Sequence, residues 1–447
     1  MAEKILRVTR RRFFGTAAVA AAAAVSGGAA ATAYAHHKAQ RRAAEVLSGR
    51  IFENPTFDYT TRTVLGTAYY GCANPGKVFA ITSNIKDGDY ESAYRAYFAA
   101  GNEAKQWAED AVHKNQLVSA RAAYLWAANY LYASLYFLDG TVDPSRMLPT
   151  WQHYESCWMA AAELSIPAIE RVEIPYEDTT LTGWFLRTSN AGQRRALVIL
   201  NNGADGSELD MLVLGGVAAT ERGYNCLAFN GPGQGDSLWL KHMYFRPDWE
   251  KVITPVVDFA IAHPEVDAKR IALVGISQGG YWVPRALAFE HRVTAGVADP
   301  GVWNVGRAWT ERLPKSMAQL LNAGEKEKFD KRVTIALRFL SEPEARAVLA
   351  FRMRPYGTES YYEAFRAVQQ YNLKGVGGQI QCPMLITSPQ AEQFFPRQAK
   401  ELYDMLRCPK TLMDFTAEQG AQLHCEVNAP GYRDLRIFNW LDQILEA

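Results

Sequence analysis

Ser277 stands in Gly275-Ile276-Ser277-Gln278-Gly279-Gly280, a G-x-S-x-G run with the composition of a nucleophile elbow. A turn that sharp collides with bulky flanking side chains, so Gly275 and Gly279 have a steric role. A serine hydroxyl is a poor nucleophile until a base takes its proton, so a histidine must follow. Only His291 and His424 do. His291 lies beside Arg292 on the helix leaving the elbow, where solvation is its expected role. His424 lies on the loop before the last helix, where the base serving such an elbow belongs.

The imidazole needs a carboxylate to fix its tautomer and stabilise its protonated form. Elbows of this kind run in the chain order serine, acid, histidine. Glu392, on the loop after the strand Pro383–Thr387, is therefore the expected acid, with Asp299 at the end of the preceding strand as the alternative. An oxyanion requires two N–H donors. Gln278 is the first, and Ala204 in Asn201-Asn202-Gly203-Ala204-Asp205-Gly206 is the second, with Gly203 as the alternate. The run Asn230-Gly231-Pro232-Gly233-Gln234-Gly235 lacks a following G-K-[ST], so it reads as a tight strand exit and not a nucleotide site.

The elements that must position these residues follow from periodicity. Residues 40–165 read as a helical cap, with apolar residues at three- and four-residue intervals over Tyr90–Val112 and Ser119–Leu138. From 166 to 300 short apolar strands alternate with helices. This pattern requires crossover connections, and so a mostly parallel sheet with helices on both faces. Residues 301–380 read as a helical insertion, and 381–447 resume the strand–helix rhythm. Leu209–Arg222 is expected to be one helix, and Arg270–Val274 the strand that feeds the elbow.

Residues 1–35 differ from the rest. Thr9-Arg10-Arg11-Arg12-Phe13-Phe14, an Ala-rich run and Ala33-Tyr34-Ala35 match a twin-arginine export signal with its cleavage site. Alanine inserts weakly into a bilayer, so no stable membrane anchor is expected. Six cysteines without CxxC spacing argue against a zinc site or a disulfide framework. A net charge of +1 gives no bulk field toward nucleic acid, and 48% hydrophobic residues exclude a disordered chain. The expected partners are a small-molecule substrate and the twin-arginine export machinery, with a homodimer left open. With 11 Trp, 22 Tyr and 20 Phe the chain can line an aromatic pocket, for which Tyr124, Trp126, Tyr130 and Trp303 are candidates.

The elbow, the Gly-Pro-Gly-Gln-Gly run and the late His-Cys pair resemble the α/β-hydrolase superfamily. Ser119-Ala120-Arg121-Ala122-Ala123-Tyr124-Leu125, Asp248-Trp249-Glu250, His263-Pro264-Glu265-Val266-Asp267 and Gly279-Gly280-Tyr281-Trp282-Val283-Pro284-Arg285 are similar to the branch of 2,6-dihydroxypseudooxynicotine hydrolase and fungal heptaketide hydrolases. The resemblance runs from about residue 85 to the C-terminus. It implies a hydrolase free of metal and cofactor, with an N-terminal helical cap, that cleaves an ester or a carbon–carbon bond next to a ketone. Ser277 is then the nucleophile and His424 the base. The chain departs from the branch at the acid, reading Thr387-Ser388-Pro389-Gln390-Ala391-Glu392 where relatives usually read His-Gly-x-x-Asp. A peptidase on the same fold and a non-catalytic binding protein are the competing functions. If His424 is the base, activity should fall below about pH 6.

Overall fold

The computed structural model describes residues 49–188, 192–339 and 343–445. The export signal expected at 1–35 lies outside the described residues. Eight strands form one sheet in the order β1-β2-β4-β3-β5-β6-β7-β8. Strands β1 (Glu170–Tyr176) and β2 (Thr179–Leu186) are antiparallel across a tight turn at Glu177-Asp178. Strand β2 runs antiparallel to β4 (Asn225–Phe229). From β4 onward β3 (Arg195–Asn201), β5 (Val266–Ile276), β6 (Ala295–Asp299), β7 (Met384–Pro389) and β8 (Lys410–Phe415) pair in parallel. The unbroken apolar run Ala196–Leu200 has helices on both faces and is buried throughout.

The cap is built from α1 (Pro55–Gly66), α2 (Pro75–Thr82), α3 (Tyr90–His113), α4 (Leu117–Leu138) and α5 (Met147–Glu163). Asn54 and Asp89 cap α1 and α3 with side-chain oxygens that accept main-chain N–H groups. Edge-to-face contacts join Phe57 of α1 to Tyr90 of α3 and Phe137 of α4, at 5.1 and 4.8 Å between ring centroids. This cluster ties α1 to α3 and α4, and α1 reaches the site through Tyr59.

In the core, α6 (Glu250–Ala262) and α7 (Gly279–Leu287) flank β5. Between β6 and β7 lie α8 (Val305–Thr310), α9 (Lys315–Asn322), α10 (Lys326–Phe339), α11 (Pro343–Met353) and α12 (Tyr361–Val368). After β7 and β8 come α13 (Gln398–Met405) and α14 (Pro430–Leu445). Three expectations need correction. The helix expected over Leu209–Arg222 is broken between Met211 and Val217, where Gly215 takes a φ of +132°, which a side chain would resist. Strand β5 starts at Val266, ahead of Arg270, because Arg195 of β3 pairs with Val266. Helix α7 stops at Leu287, so His291 lies beyond it, exposed. Among the described residues no helix is long and apolar enough to cross a membrane, and all six cysteines are unpaired thiols.

Candidate active site

Strand β5 delivers Ser277 to the mouth of the sheet with a φ of +57°, a strained conformation for a residue with a side chain. The turn closes because two side chains are missing. A Cβ on Gly275 would sit 2.2 Å from the Gly279 carbonyl oxygen, and one on Gly279 would sit 2.7 Å from that of Asn201. The Ser277 N–H donates to the Asp299 carbonyl at 2.6 Å, tying the turn to the end of β6.

Ser277 Oγ lies 2.8 Å from His424 Nε2, and His424 Nδ1 lies 2.7 Å from Glu392 Oε2. These residues span 147 positions between serine and histidine, and 32 between histidine and glutamate. Glu392 is held in turn. Its Oε1 accepts the N–H groups of Phe394 and Phe395 at 2.8 and 2.9 Å, folding the longer side chain back on its own loop. The Ala391 N–H donates to the Gln422 carbonyl at 2.8 Å, which stitches the glutamate loop to the histidine loop. Burial works against a charged His424, but the charge and hydrogen bond of Glu392 outweigh it and hold the imidazole pKa above its ordinary 6.5.

Asp299, the alternative acid, is turned away. Its carboxylate accepts from Thr387 Oγ1 at 2.7 Å and from Arg433 Nε at 2.5 Å, with no exposure to solvent. Arg433 also pairs with Asp434, which accepts the Tyr70 hydroxyl at 2.6 Å. Glu426 lies within 3.8 Å of Arg433, and burial followed by the charge of Asp299 pushes its pKa well above the carboxylate range. This buried network lies behind the histidine loop and braces it.

The Gln278 N–H stands at the start of α7 and donates to no acceptor among the described residues. Gly203 packs so close that a Cβ there would sit 2.7 Å from Ser277 Cβ. Its N–H donates to Asn202 Oδ1 at 2.7 Å, whereas the Ala204 N–H donates to no acceptor among the described residues. The loop is clamped from outside. Gln234 Nε2 donates to the Asn202 and Gly203 carbonyls at 3.0 and 2.5 Å, and Trp249 Nε1 donates to Asn201 Oδ1 at 2.6 Å. The glycine run around Gln234 thus does more than exit a strand.

The four aromatic candidates lie elsewhere. Tyr130 is fully buried in the cap, where its hydroxyl accepts the Asn74 N–H, and Trp126 Nε1 donates to the Gly71 carbonyl. Tyr124 packs against the cap core, and Trp303 Nε1 donates to Glu401 at 2.6 Å. None of the four makes a hydrogen bond or ring contact with Ser277, His424 or Glu392 among the described residues. Helix α4 is aromatic all round, so its composition could not say which stripe faces the site. Tyr132 and Tyr136, one helical turn apart, hold that stripe and donate to the Asp205 carbonyl at 2.8 and 3.0 Å.

Around the imidazole the rings are Phe394 at 4.7 Å, Phe395 at 6.0 Å and Tyr59 at 6.4 Å. The Tyr59 hydroxyl also donates to the His424 carbonyl at 3.3 Å. Burial raises the Asp205 carboxyl to about 6, with the charge of His424 opposing and that of Asp210 adding. No motif marks Tyr59, and the run Asn201–Gly206 contains Asp205 without giving its carboxyl a role. The arrangement as a whole can carry a proton from Ser277 to His424 and stabilise the resulting charge with a buried carboxylate.

No family model matches the chain. The hydrolase acrC of Aspergillus aculeatus is 30% identical over 423 residues, covering 89% of this chain and 98% of the relative. The α/β hydrolase psoB of Aspergillus fumigatus is 29% identical over 421 residues, covering 88% and 94%. Among solved structures, that of 2,6-dihydroxy-pseudo-oxynicotine hydrolase superposes with a TM-score of 0.67 at 18% identity, covering 85% of this chain and 95% of the other. The last comparison concerns the fold alone.

Proposed function

The chain belongs to the α/β-hydrolase family, and on that premise we propose that it is an exported serine hydrolase. Its substrate is an aromatic or polyketide-like small molecule, cleaved at an ester or at a carbon–carbon bond next to a ketone. The observation that carries this reading is the hydrogen-bonded series Ser277 Oγ, His424 Nε2, His424 Nδ1 and Glu392 Oε2. The rings of Tyr59, Phe394 and Phe395 around the imidazole favour a flat or apolar substrate.

In this mechanism His424 accepts the Ser277 proton as Oγ attacks the carbonyl carbon. The resulting oxyanion is held by the N–H groups of Gln278 and Ala204, the first at the positive end of α7. Collapse breaks the bond to the leaving group. In an ester the electron pair goes to the alkoxide oxygen. In a ketone it goes to carbon, as the enolate of the neighbouring carbonyl. The His424 proton is delivered to that group, and water repeats the sequence in reverse to release the acid and free Ser277. The changed acid loop is the one support for a non-catalytic protein, and Glu392 within hydrogen-bond reach of His424 favours the catalytic reading.

Covalent trapping with a fluorophosphonate, followed by mass mapping, should place the label on Ser277. Ser277→Ala should remain unlabelled and lose about a thousandfold or more in kcat on a chromogenic aryl ester. Equal turnover by both proteins sinks the proposal. Product analysis on aromatic β-diketones against aryl esters then decides the bond type. Export rests on Arg10-Arg11 and the Ala33-Tyr34-Ala35 site. Lysine at both arginines should leave uncleaved precursor in the producing cell, and normal processing would refute that route.

A further inference from the structure

A guanidinium without a partner among the described residues faces the site from the helical insertion. Arg352, near the end of α11, lines a solvent-open cleft together with Gln393 and Phe394, the two residues that follow Glu392. Phe394 is also the ring packed against His424, so the cleft adjoins the candidate active site. The cleft wall carries Arg307, Arg312 and Arg352 against one carboxylate, Glu311. Arg307 is engaged by Glu401 and Glu311. Arg352 makes no ion pair or hydrogen bond among the described residues. Its neighbour Arg354 is paired with Asp139, which shows what the same helix end does where a carboxylate is supplied.

Two buried donors lie on the same side. The Tyr356 phenol and the Gln278 side-chain amide stand beside each other, and neither Tyr356 Oη nor Gln278 Nε2 has a hydrogen bond to any other group among the described residues. Gln278 directly follows Ser277. Burial pulls the Arg352 pKa below the ordinary guanidinium value, with Asp205 and Tyr356 pushing it back up. Arg352 is part-buried at the cleft, so its charge stays within reach of a ligand, while the buried donors beside it carry a desolvation cost. A ligand that satisfies all three groups at once would relieve it. Planar, doubly accepting oxyanions match the guanidinium fork best.

We propose that Arg352, Tyr356 Oη and Gln278 Nε2 recognise a carboxylate carried by the substrate, making Arg352 a specificity-determining residue. This rests on Ser277 being the nucleophile, and it adds a substrate class: acyl compounds with a free carboxylate on the acyl side.

The test uses 4-nitrophenyl half-esters of succinic, glutaric and adipic acids, each compared with its neutral methyl ester. For at least one chain length the wild type should prefer the anionic ester by about tenfold or more in kcat/KM. Arg352→Met should lower that preference about tenfold through KM, and Arg352→Lys should recover part of it, having charge without the fork. In the wild type alone, the matching dicarboxylate should protect Ser277 from fluorophosphonate while its diamide does not. No preference and no protection at any length, with Ser277 labelled normally, overturns the carboxylate site and leaves the serine hydrolase standing. Absence of labelling in the wild type brings down both.

Discussion

Two carboxylates leave neighbouring parallel strands and meet opposite fates. Asp299 ends β6 and Glu392 lies just beyond β7, and both side chains are buried. Asp299 faces Arg433, a permanent cation, inside a network that also holds Glu426 and Asp434. Glu392 faces His424, whose charge can change near neutral pH, at the edge of a cleft. A carboxylate locked to arginine has no proton to respond to and serves as a brace. The same group against an imidazole favours its protonated state, as a base that takes a serine proton requires. The partner sets the role, and the partner is set by where each strand end points.

Neutralising each carboxylate should therefore fail in different ways. Glu392→Gln should lose about a thousandfold to ten-thousandfold in kcat with its melting temperature little changed, as expected when the imidazole loses the group that sets its tautomer. Asp299→Asn should lose about 3 kcal/mol of stability in denaturant unfolding, because Arg433 is left buried with less charge opposite it. Its folded fraction should turn over far better than Glu392→Gln. Exchanged outcomes would exchange the roles.

The pH profile sharpens the contrast. His424 must be neutral to accept a proton, so kcat/KM is retained above its pKa and lost as pH falls through it. Glu392 holds that pKa above 6.5, so the acid limb should bend above 6.5, higher than the value near 6 expected from sequence. In Glu392→Gln burial acts unopposed by that carboxylate, and the bend should move down. An unmoved bend would separate Glu392 from the base. The smallest effect belongs to Thr387→Val, which removes the hydroxyl donating to Asp299. It should cost about 1–2 kcal/mol in unfolding and leave the pH profile where it was.

Much of the site could be read because chemistry restricts residue types locally. Ser277 stands out because the glycines around it answer a steric demand within a few residues. His424 emerges because one other histidine follows the elbow, and Glu392 because its loop holds a single carboxylate. What stayed hidden depends on direction. Tyr59 meets His424 from 365 positions away, with no motif to mark it. Arg352 sits in an amphipathic helix among other arginines, and sequence could not say which of them would lack a carboxylate. The aromatic stripe of α4 was misassigned because Tyr124, Trp126 and Tyr130 look no different from Tyr132 and Tyr136 until the helix is rotated against its neighbours.

By itself the sequence determined the alternation of strands and helices, the sharp turn at Ser277 and the small set of residues able to serve it. Hydrophobic period and turn sterics act over a few residues and are written directly in the chain. Only the tertiary structure decided that Glu392 and not Asp299 faces the imidazole, that Gln234 clamps the Asn202-Gly203 loop, and that Arg352 stands beside the cleft without a partner among the described residues. Those outcomes depend on hydrogen bonds and charges a few ångströms apart between segments distant in sequence. Such distances exist only once the sheet and its cap have packed.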